Sequence, residues 1–584
     1  MKAAAATLCC LVLVLGAIVR EGACSKPNVL FVVVDDLRPQ LGCYGEDYMV
    51  TPNIDQLASK SVLFERAYVQ FAVCSPSRTS FLTSRRPDTT HIFDLLTYFR
   101  NFTANFTTLP QHFKDNGYAT QSVGKIFHPG IASNNTDDYP YSWSFPAWHG
   151  STEKYMYKRC CPGSDGQLHK NAVCPVYNMS LVPEGTLPDL QTTEYSVQWL
   201  KDWAAKGTDQ PFFLAMGFRK PHQPLRYPAK YLDLYPMSKI SLAPNNFFPP
   251  YLPPVAWNPY ASLRLNEDVM RLNVSWPYGP IPTDFQLKMR QSYSAATSYT
   301  DTQLGILLDT LDREGFADNT IISLIGDHGW SLGEHEEWCK FSNFDIAVRI
   351  PMIIHVPGVT SPKAPPGKTF PFIDPLEQTG RSGNANTDKS DQSHHSHTQE
   401  QGTKCDGGGD CRSAGGYVTQ ALVEAVDLFP TLSELAGLTV PPTCPPDDAQ
   451  VALCSQGSSL VPLIKNLTEP SYNMTLAWKQ AVFSQYDRPS YFPQQDSDGP
   501  RWFNVKIMGY SMRTAHHRYT EWVAYDVDTF TADWTKLYAR ELYLHEQDPE
   551  ENWNMAEVTS QQDLVTQLSG QLRAGWRAAL PKEL

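Results

Sequence analysis

The sequence predicts an α/β protein built on a large, mixed but mostly parallel sheet flanked by helices, and three observations carry that reading. Strand-like apolar runs alternate with stretches of helical periodicity. The runs are continuous, as in strands buried on both faces. Each one ends abruptly in acids, lysines or histidines. The clearest is Asn28 to Val34, which stops at Asp35-Asp36. Thr320 to Ile325 leads into Gly326-Asp327-His328, Pro211 to Met216 leads to Lys220 and His222, and a weaker run from Ala119 to Val123 leads to Gly124-Lys125 and His128. Between them, Phe285 to Leu311 repeats apolar residues at helix spacing. This alternation implies right-handed crossovers that put helices on the sheet faces. Ligands bind beyond the carboxyl ends of strands in such sheets. Taken singly, a strand-end aspartate is more often a turn residue or a helix cap; delivered jointly at one end, these polar residues point to a site.

At 584 residues the chain exceeds what one core ordinarily serves, so two structural units are expected. Apolar residues make up 42% and charged residues 19%, which excludes a wholly disordered chain. Acidic side chains number 61 against 48 basic ones, for a formal charge of -13. No long basic run offers a nucleic-acid stripe, so a polyanionic partner would have to be held by a local basic pocket.

Lys2 followed by an apolar or small run from Ala3 to Val19 reads as a secretory signal over residues 1–23, cleaved near Ala23. The run is short for a membrane span and no comparable one follows, so no span is expected after cleavage. Asn-x-Ser/Thr sequons at Asn101, Asn105, Asn134, Asn178, Asn273, Asn466 and Asn473 fit the same route. So does cysteine usage: Cys161 with Cys174 and Cys444 with Cys454 stand in loop-like sequence as plausible disulfides of an oxidising compartment, with Cys405 and Cys411 a third option. Residues 24–443 are expected to form the main domain. Within it, 379–416 is a Ser/Gly/Gln/His-rich insert whose His394, His395 and His397 read as solvated loop more readily than as metal ligands. Leu422 to Leu432 is expected as one helix, a Pro-rich stretch around Pro441 to Pro446 marks a boundary, and 454–584 forms a smaller C-terminal α+β unit.

The most informative segment is Cys74-Ser75-Pro76-Ser77-Arg78. Pro76 suits a first helical turn and Ser75 a cap, which puts Cys74 just before a helix N-terminus, where backbone N–H groups and the dipole favour an anion and Arg78 adds fixed charge. A disulfide half, a buried structural cysteine and a thiolate nucleophile remain open as readings, although none of the local signatures of thiol hydrolases is present. The segment resembles the Cys-x-Pro-Ser-Arg element of the sulfatase family, in which a formylglycine-generating enzyme oxidises the cysteine during secretion. The resemblance extends in family order through Asp35-Asp36, Gly124-Lys125 with His128, Lys220-Pro-His222, Asp327-His328-Gly329 and Lys340. It is further carried by Asp35-Asp-Leu-Arg-Pro, Leu41-Gly-Cys-Tyr-Gly45, Arg85-Arg-Pro-Asp-Thr-Thr90, Gly124-Lys-Ile-Phe-His-Pro-Gly130, Asp327-His-Gly-Trp-Ser-Leu-Gly-Glu-His335 and Met508-Gly-Tyr, and covers nearly the whole mature chain apart from the insert.

The resemblance implies an alkaline-phosphatase-like fold and a lysosomal exo-hydrolase that removes the 2-sulfate from terminal iduronate in heparan and dermatan sulfate. It further implies that residue 74 acts as formylglycine: its hydrate has one hydroxyl to attack sulfur and a second whose deprotonation expels the bound sulfate, a release that serine or cysteine does not allow. Asp35, Asp36, Asp327, His328 and residue 74 are implied to hold one calcium ion, which suits hard oxygen donors. Arg78, Lys125 and His128 would act on residue 74, His222 and Lys340 on the sulfate and leaving oxygen, and Lys220, Trp330 and His335 on the sugar. Unperturbed histidine is largely protonated near pH 5, which suits an acidic compartment. Two departures stand out: Ser84 replaces the usual glycine of Leu-Thr-Gly-Arg, which puts the efficiency of conversion in question, and Phe341 stands where tyrosine is usual. The competing readings are a sulfatase of other specificity, a phosphodiesterase of the same superfamily, and a non-catalytic glycosaminoglycan-binding protein that keeps a thiol at 74.

Overall fold

The computed structural model describes residues 26–163, 165–377, 416–469 and 477–581. The expected signal segment, the insert from 379 to 415 with its histidines, Cys405 and Cys411, and Asn473 lie outside the described residues. In chain order the main sheet is formed by β1 (Asn28–Val34), β2 (Val62–Tyr68), β3 (Ala119–Gly124), β4 (Phe212–Phe218), β5 (Thr320–Gly326), β6 (Arg349–His355), β7 (Tyr417–Thr419) and the short β8 (Val423–Glu424). They lie in the order β7-β2-β6-β5-β1-β4-β3, with β8 also on β2. β4 and β5 flank β1 in parallel, β3 runs parallel to β4, and β7 and β8 run parallel to β2. β6 alone is antiparallel to its neighbours β2 and β5. The continuous apolar runs are thus buried on both faces: every residue of β1, β4 and β5 is buried.

Helices α1 (Cys74–Thr83), α2 (Pro188–Lys206) and α3 (Thr283–Arg313) pack around this sheet. Every residue of α1 is buried, and Phe81 meets Phe31 of β1 edge-on at 6.1 Å. α3 is the helix expected over 285–311. Its Asp301 accepts hydrogen bonds from the backbone N–H groups of Asn53 and Ile54 and from Asn53 Nδ2, so it caps the short helix Pro52–Ala58, which has no side-chain cap of its own. Burial pushes Asp301 up to about 7.

The helix expected over 422–432 forms only in its second half. The chain first makes β8, then a tight turn at Ala425–Asp427, and only then α4 (Leu428–Leu435). Glu424 is the reason: its carboxylate is buried between Arg86 at 2.7 Å and Lys479 at 2.8 Å, and its backbone pairs with Tyr68 of β2. A buried carboxylate tied to two cations outweighs local periodicity.

Toward the C-terminus an antiparallel 4-stranded sheet forms from β9 (Ala481–Arg488), β10 (Ile507–Thr514), β11 (His517–Asp526) and β12 (Thr531–Leu544). Helix α5 (Gln562–Ala579) covers it, burying Val565, Leu568 and Leu572 against Met512, Tyr519 and Leu542. The Cys161–Cys174 and Cys444–Cys454 disulfides are formed. Asn101, Asn105, Asn134, Asn178 and Asn273 are exposed and Asn466 is half-buried. Among the described residues no helix is long and apolar enough to cross a membrane.

Buried acids give this fold a pH signature. Glu337 is fully buried, accepts from Asn258 N at 2.7 Å and Ser342 Oγ at 2.9 Å, and is pushed up to about 8 because burial outweighs those hydrogen bonds. The folded state therefore holds a proton that the unfolded chain has already released, so this contribution is full below the ordinary carboxylate range and is lost as pH rises toward 8. His149, raised to about 10 by Asp137 and Glu153 against its burial, acts in the same sense above its ordinary value. Buried histidines of lowered pKa, such as His355 at about 4, act oppositely, but only below about 6.5. The thermal midpoint should therefore fall from pH 6.5 to 8.5, and Glu337→Gln should make that fall shallower in differential scanning fluorimetry; an unchanged slope would contradict the assignment.

Candidate active site

The strand ends converge on Cys74. Asp35 and Asp36 leave β1, Lys125 follows β3, the Arg219–Pro224 loop follows β4, and Asp327 and His328 follow β5. Close backbone approach sets this arrangement. A Cβ on Gly217 would sit 2.0 Å from the carbonyl oxygen of Lys125, and one on Gly124, at φ +71°, would sit 2.3 Å from the Gly217 oxygen. Glycine at both positions lets Lys125 cross the end of β4. Asp36 adopts φ 60°, an unusual conformation for a residue with a side chain. It is held there by Tyr293 of α3, whose hydroxyl donates to Asp36 O at 2.7 Å and accepts from Arg38 N at 3.1 Å.

Cys74 is the first residue of α1, one position further into the helix than the sequence placed it, with Val73 at the cap and Pro76 in the first turn. Its sulfur lies 3.1 Å from Lys340 Nζ, 3.3 Å from Lys125 Nζ, 3.4 Å from His328 Nε2 and 3.5 Å from Asp35 Oδ1. Lys125 also donates to Asp35 Oδ2 and Lys340 to Asp36 Oδ1, both at 2.6 Å. Arg78, one turn along α1 and fully buried, joins the strand ends. Its Nε donates to Asp327 Oδ2 at 2.9 Å, one terminal nitrogen lies 3.3 Å from Asp35 Oδ1, and the other donates to the carbonyls of Lys125 and Ile126. Asp327 Oδ1 in turn accepts from Asp36 N at 3.0 Å.

Electrostatics split the two adjacent aspartates. Burial alone would raise Asp35, but Lys125, His222, Arg78 and Lys340 hold it well below the usual carboxylate range. Asp36 goes the other way, to about 7, because burial and the Asp35 charge outweigh Lys340. Burial also raises the Cys74 thiol, helped by Asp35, against Lys125 and Lys340. A thiol kept protonated and 2% exposed is a poor thiolate nucleophile. His222 and His128 are held well below the ordinary histidine value by burial, with nearby lysines adding to it. The charged histidines expected from an unperturbed value near pH 5 are therefore not what this arrangement favours, because two lysines already occupy its interior.

The residues present fit a metal ion. One ligand atom each from Asp35, Asp36, Cys74 and His328 lies within 4.8 Å of the others. Asp36 Oδ2 is buried with no hydrogen-bond partner, an oxygen whose desolvation a cation would offset. His328 presents Nε2 because Nδ1 faces Gly329 O at 3.0 Å. Asp327 borders the group, with both oxygens engaged as described and Oδ2 3.4 Å from His328 Nε2.

The remaining expected residues divide. His222 turns Nε2 toward Asp36 Oδ2 at 3.9 Å, with Nδ1 against Gln223 O. Trp330 lies beside Lys340, whose Nζ is 5.5 Å from the ring centroid, and 6.5 Å from the His222 ring. Phe341, at φ 84°, and Cys339, at φ 74°, flank Lys340. His128 keeps a buried Nδ1 without a partner. Lys220 does not reach the cluster as a free cation, since its Nζ donates to the carbonyl oxygens of His222 and Pro224. His335 faces elsewhere: it stacks on Phe344, bonds Glu550 O at 2.8 Å and lines a groove of about 630 Å³ with Arg38, Arg290 and Glu334, none of which touches Cys74. Sequence reasoning passed over Tyr293, Arg219 and Arg226; a basic residue inside the strand-like Leu225-Arg-Tyr-Pro was the one available signal for the last of these.

The sulfatase family profile matches residues 27–438. Human iduronate 2-sulfatase is 50% identical and the mouse protein of that name 49% identical over 531 residues, 90% of this chain and 90% of each relative. Among solved structures, a phosphonate monoester hydrolase from Silicibacter pomeroyi aligns with a TM-score of 0.62 at 20% identity, covering 95% of this chain and 96% of the other, and so shares the fold.

Ser84, the departure noted above, ends α1 in the left-handed region at φ 53°. Its hydroxyl donates to Val426 O at 2.6 Å and meets Ser455 Oγ at 2.8 Å. Glycine would relieve a backbone cost of about 1–2 kcal/mol, while two buried hydrogen bonds contribute about 1 kcal/mol each. Ser84→Ala should therefore lower the unfolding free energy by about 1–3 kcal/mol, and Ser84→Gly by clearly less, measured by denaturant titration. Equal losses would show that the left-handed backbone contributes nothing.

Proposed function

This chain belongs to the sulfatase family and is a sulfuric ester hydrolase, and from that premise we propose that it removes the 2-sulfate from terminal iduronate in heparan and dermatan sulfate. The observation that carries the reading is residue 74 held at the start of α1 between Lys125 and Lys340, above two strand-end aspartates. In this proposal Cys74 is converted by a formylglycine-generating enzyme before folding buries it. As formylglycine it supplies an attacking hydroxyl and a second hydroxyl for sulfate release, and calcium held by Asp35, Asp36, Asp327, His328 and residue 74 supplies charge neutralisation. The chain's own groups do the rest. Arg78 fixes Asp35 and Asp327 relative to each other, and Lys125 and His128 orient residue 74. His222 and Lys340 contact the sulfate and the leaving oxygen, one of them donating its proton. Trp330 walls the side on which the sugar sits. The exposed sequons and the disulfides support action in the lysosome, reached by secretion.

The test compares hydrolysis of a terminal 2-sulfated iduronate disaccharide with that of a phosphodiester, alongside peptide mass spectrometry across residue 74. Conversion at 74 and preference for the sulfated uronate are expected. Faster phosphodiester turnover would move the chain to another activity of the superfamily, and an intact thiol with no sulfate release would favour a binding protein. For the ion, calcium added to chelator-stripped protein should raise the thermal midpoint, by about 2.7 kcal/mol of stability at a hundredfold excess over Kd. Asp36→Asn should lose most of that rise, and an equal rise in this variant would place the ion elsewhere.

A further inference from the structure

We propose that the cavity beside His222 is a second anion subsite, in which Arg219 and Arg226 take a charged group of the substrate other than the sulfate being cleaved. The inference rests on the uronate reading above, whose substrate carries more than one anion. The cavity is bounded by Glu153, Met156, Arg219, Lys220, His222 and Arg226 and leaves about 30 Å³ of room, enough for one small polar group and far too little for a sugar ring.

Arg226 is the central observation. It lies on the short strand Leu225–Pro228, which pairs in parallel with Val173–Val176, and is only 8% exposed. Among the described residues it has no carboxylate partner. One terminal nitrogen reaches Tyr155 O at 3.5 Å, and Nε has no hydrogen-bond partner. A guanidinium withdrawn from water without a counter-charge is destabilising unless a ligand provides one. Arg219, 9% exposed, is fixed from behind: its terminal nitrogen donates to Glu153 Oε2 at 2.6 Å, Glu153 is 3.0 Å from His149 Nδ1, and His149 Nε2 is 3.0 Å from Asp137 Oδ2. The Arg219 Nε is likewise buried and unpartnered. Lys220 is not available for the same task, because it is spent on the loop carbonyls that position His222. The cavity therefore holds three cations and one acid in a chain of net charge -13. The open donor edge of Arg226, with the unpartnered Nε of Arg219 beside it, matches a carboxylate or a sulfate. The two sources for that group are the uronate carboxylate and a sulfate on the adjoining sugar.

The experiment assays Arg226→Gln, Arg219→Gln and the charge-retaining Arg226→Lys on four substrates: the 2-sulfated iduronate disaccharide, its carboxyl-reduced form, the disaccharide without sulfate on the adjoining sugar, and 4-nitrophenyl sulfate, which has no second anion. Arg226→Gln should raise KM for the parent disaccharide at least tenfold. Its loss on 4-nitrophenyl sulfate should be at least fivefold smaller, and Arg226→Lys should recover part of the KM. If the penalty vanishes on the carboxyl-reduced substrate, the subsite takes the carboxylate; if it vanishes on the desulfated neighbour, it takes that sulfate. Equal losses on all substrates would mean that the arginines only support the fold and would overturn the proposal, as would an unaltered KM in both glutamine variants. A wild-type enzyme active on 4-nitrophenyl sulfate but inert on the disaccharide would refute the uronate reading itself, whereas an active wild type with unaltered variants would refute the subsite alone.

Discussion

The fully buried Arg78 guanidinium is the contact on which the rest of the site depends. It spans α1 and the ends of β1 and β5 by holding Asp35 and Asp327 at once, and its remaining N–H groups are taken by the backbone just beyond β3. Charges this deep are tolerated only when each finds a partner of good geometry, and removing one member of such a network typically costs 3–5 kcal/mol. Arginine suits the position because its planar fork serves several acceptors in fixed directions, which a lysine ammonium on a flexible stem does not. Three separate strand ends and the start of a helix are thereby locked into one register around residue 74.

That lock explains why the surrounding backbone accepts strain. Asp36, Cys339 and Phe341 all sit at positive φ, a conformation that costs side-chain-bearing residues about 1–2 kcal/mol each. Tyr293 reaches from α3 to hold Asp36, and the carbonyl oxygen of Phe341 accepts from Arg488 of β9 at 2.8 Å. The C-terminal sheet thus contributes to the site indirectly, by fixing the loop that carries Lys340. Strain of this kind persists where the neighbouring structure over-determines it, and here it falls on residues that touch or flank the charged cluster.

Much of this was legible in the sequence, because buried parallel strands and strand-end polar residues leave local signals. β1 and α3 are found where composition and period placed them, and Asp35, Asp36, Lys125, His222, Asp327 and His328, which follow β1, β3, β4 and β5, do converge. β2 and β6 lack the continuous apolar run of β1, β4 and β5: Glu65 and Arg66 interrupt the first and Pro351 the second. The helix expected over 422–432 does not form in its first half because long-range ion pairs at Glu424 override its apolar period. His335 and Lys220 show the same limit at the site. Each stands in a motif beside functional residues, yet the fold turns one into a separate groove and binds the other to its own loop. Proximity in sequence gave residue type and neighbourhood, while the direction of a side chain depended on contacts far along the chain.

An acidic protein that acts on polyanions needs its positive charge concentrated. In the interior around residue 74, Arg78, Lys125 and Lys340 face Asp35, Asp36 and Asp327, so the protein groups alone are close to balance. A divalent cation among the aspartates would tip that balance and leave the two lysines free to meet a sulfate rather than a carboxylate. Asp36, held near 7 and with one buried oxygen left unpartnered, is the carboxylate best placed to face such a cation. Beside Arg219, which Glu153 compensates, Arg226 extends the positive region to one side of His222 with no carboxylate partner among the described residues. The distribution places a strong, shared charge at the reacting atoms and a weaker, unshared one beside them, the order needed by a substrate that is cleaved at one anion and recognised by another.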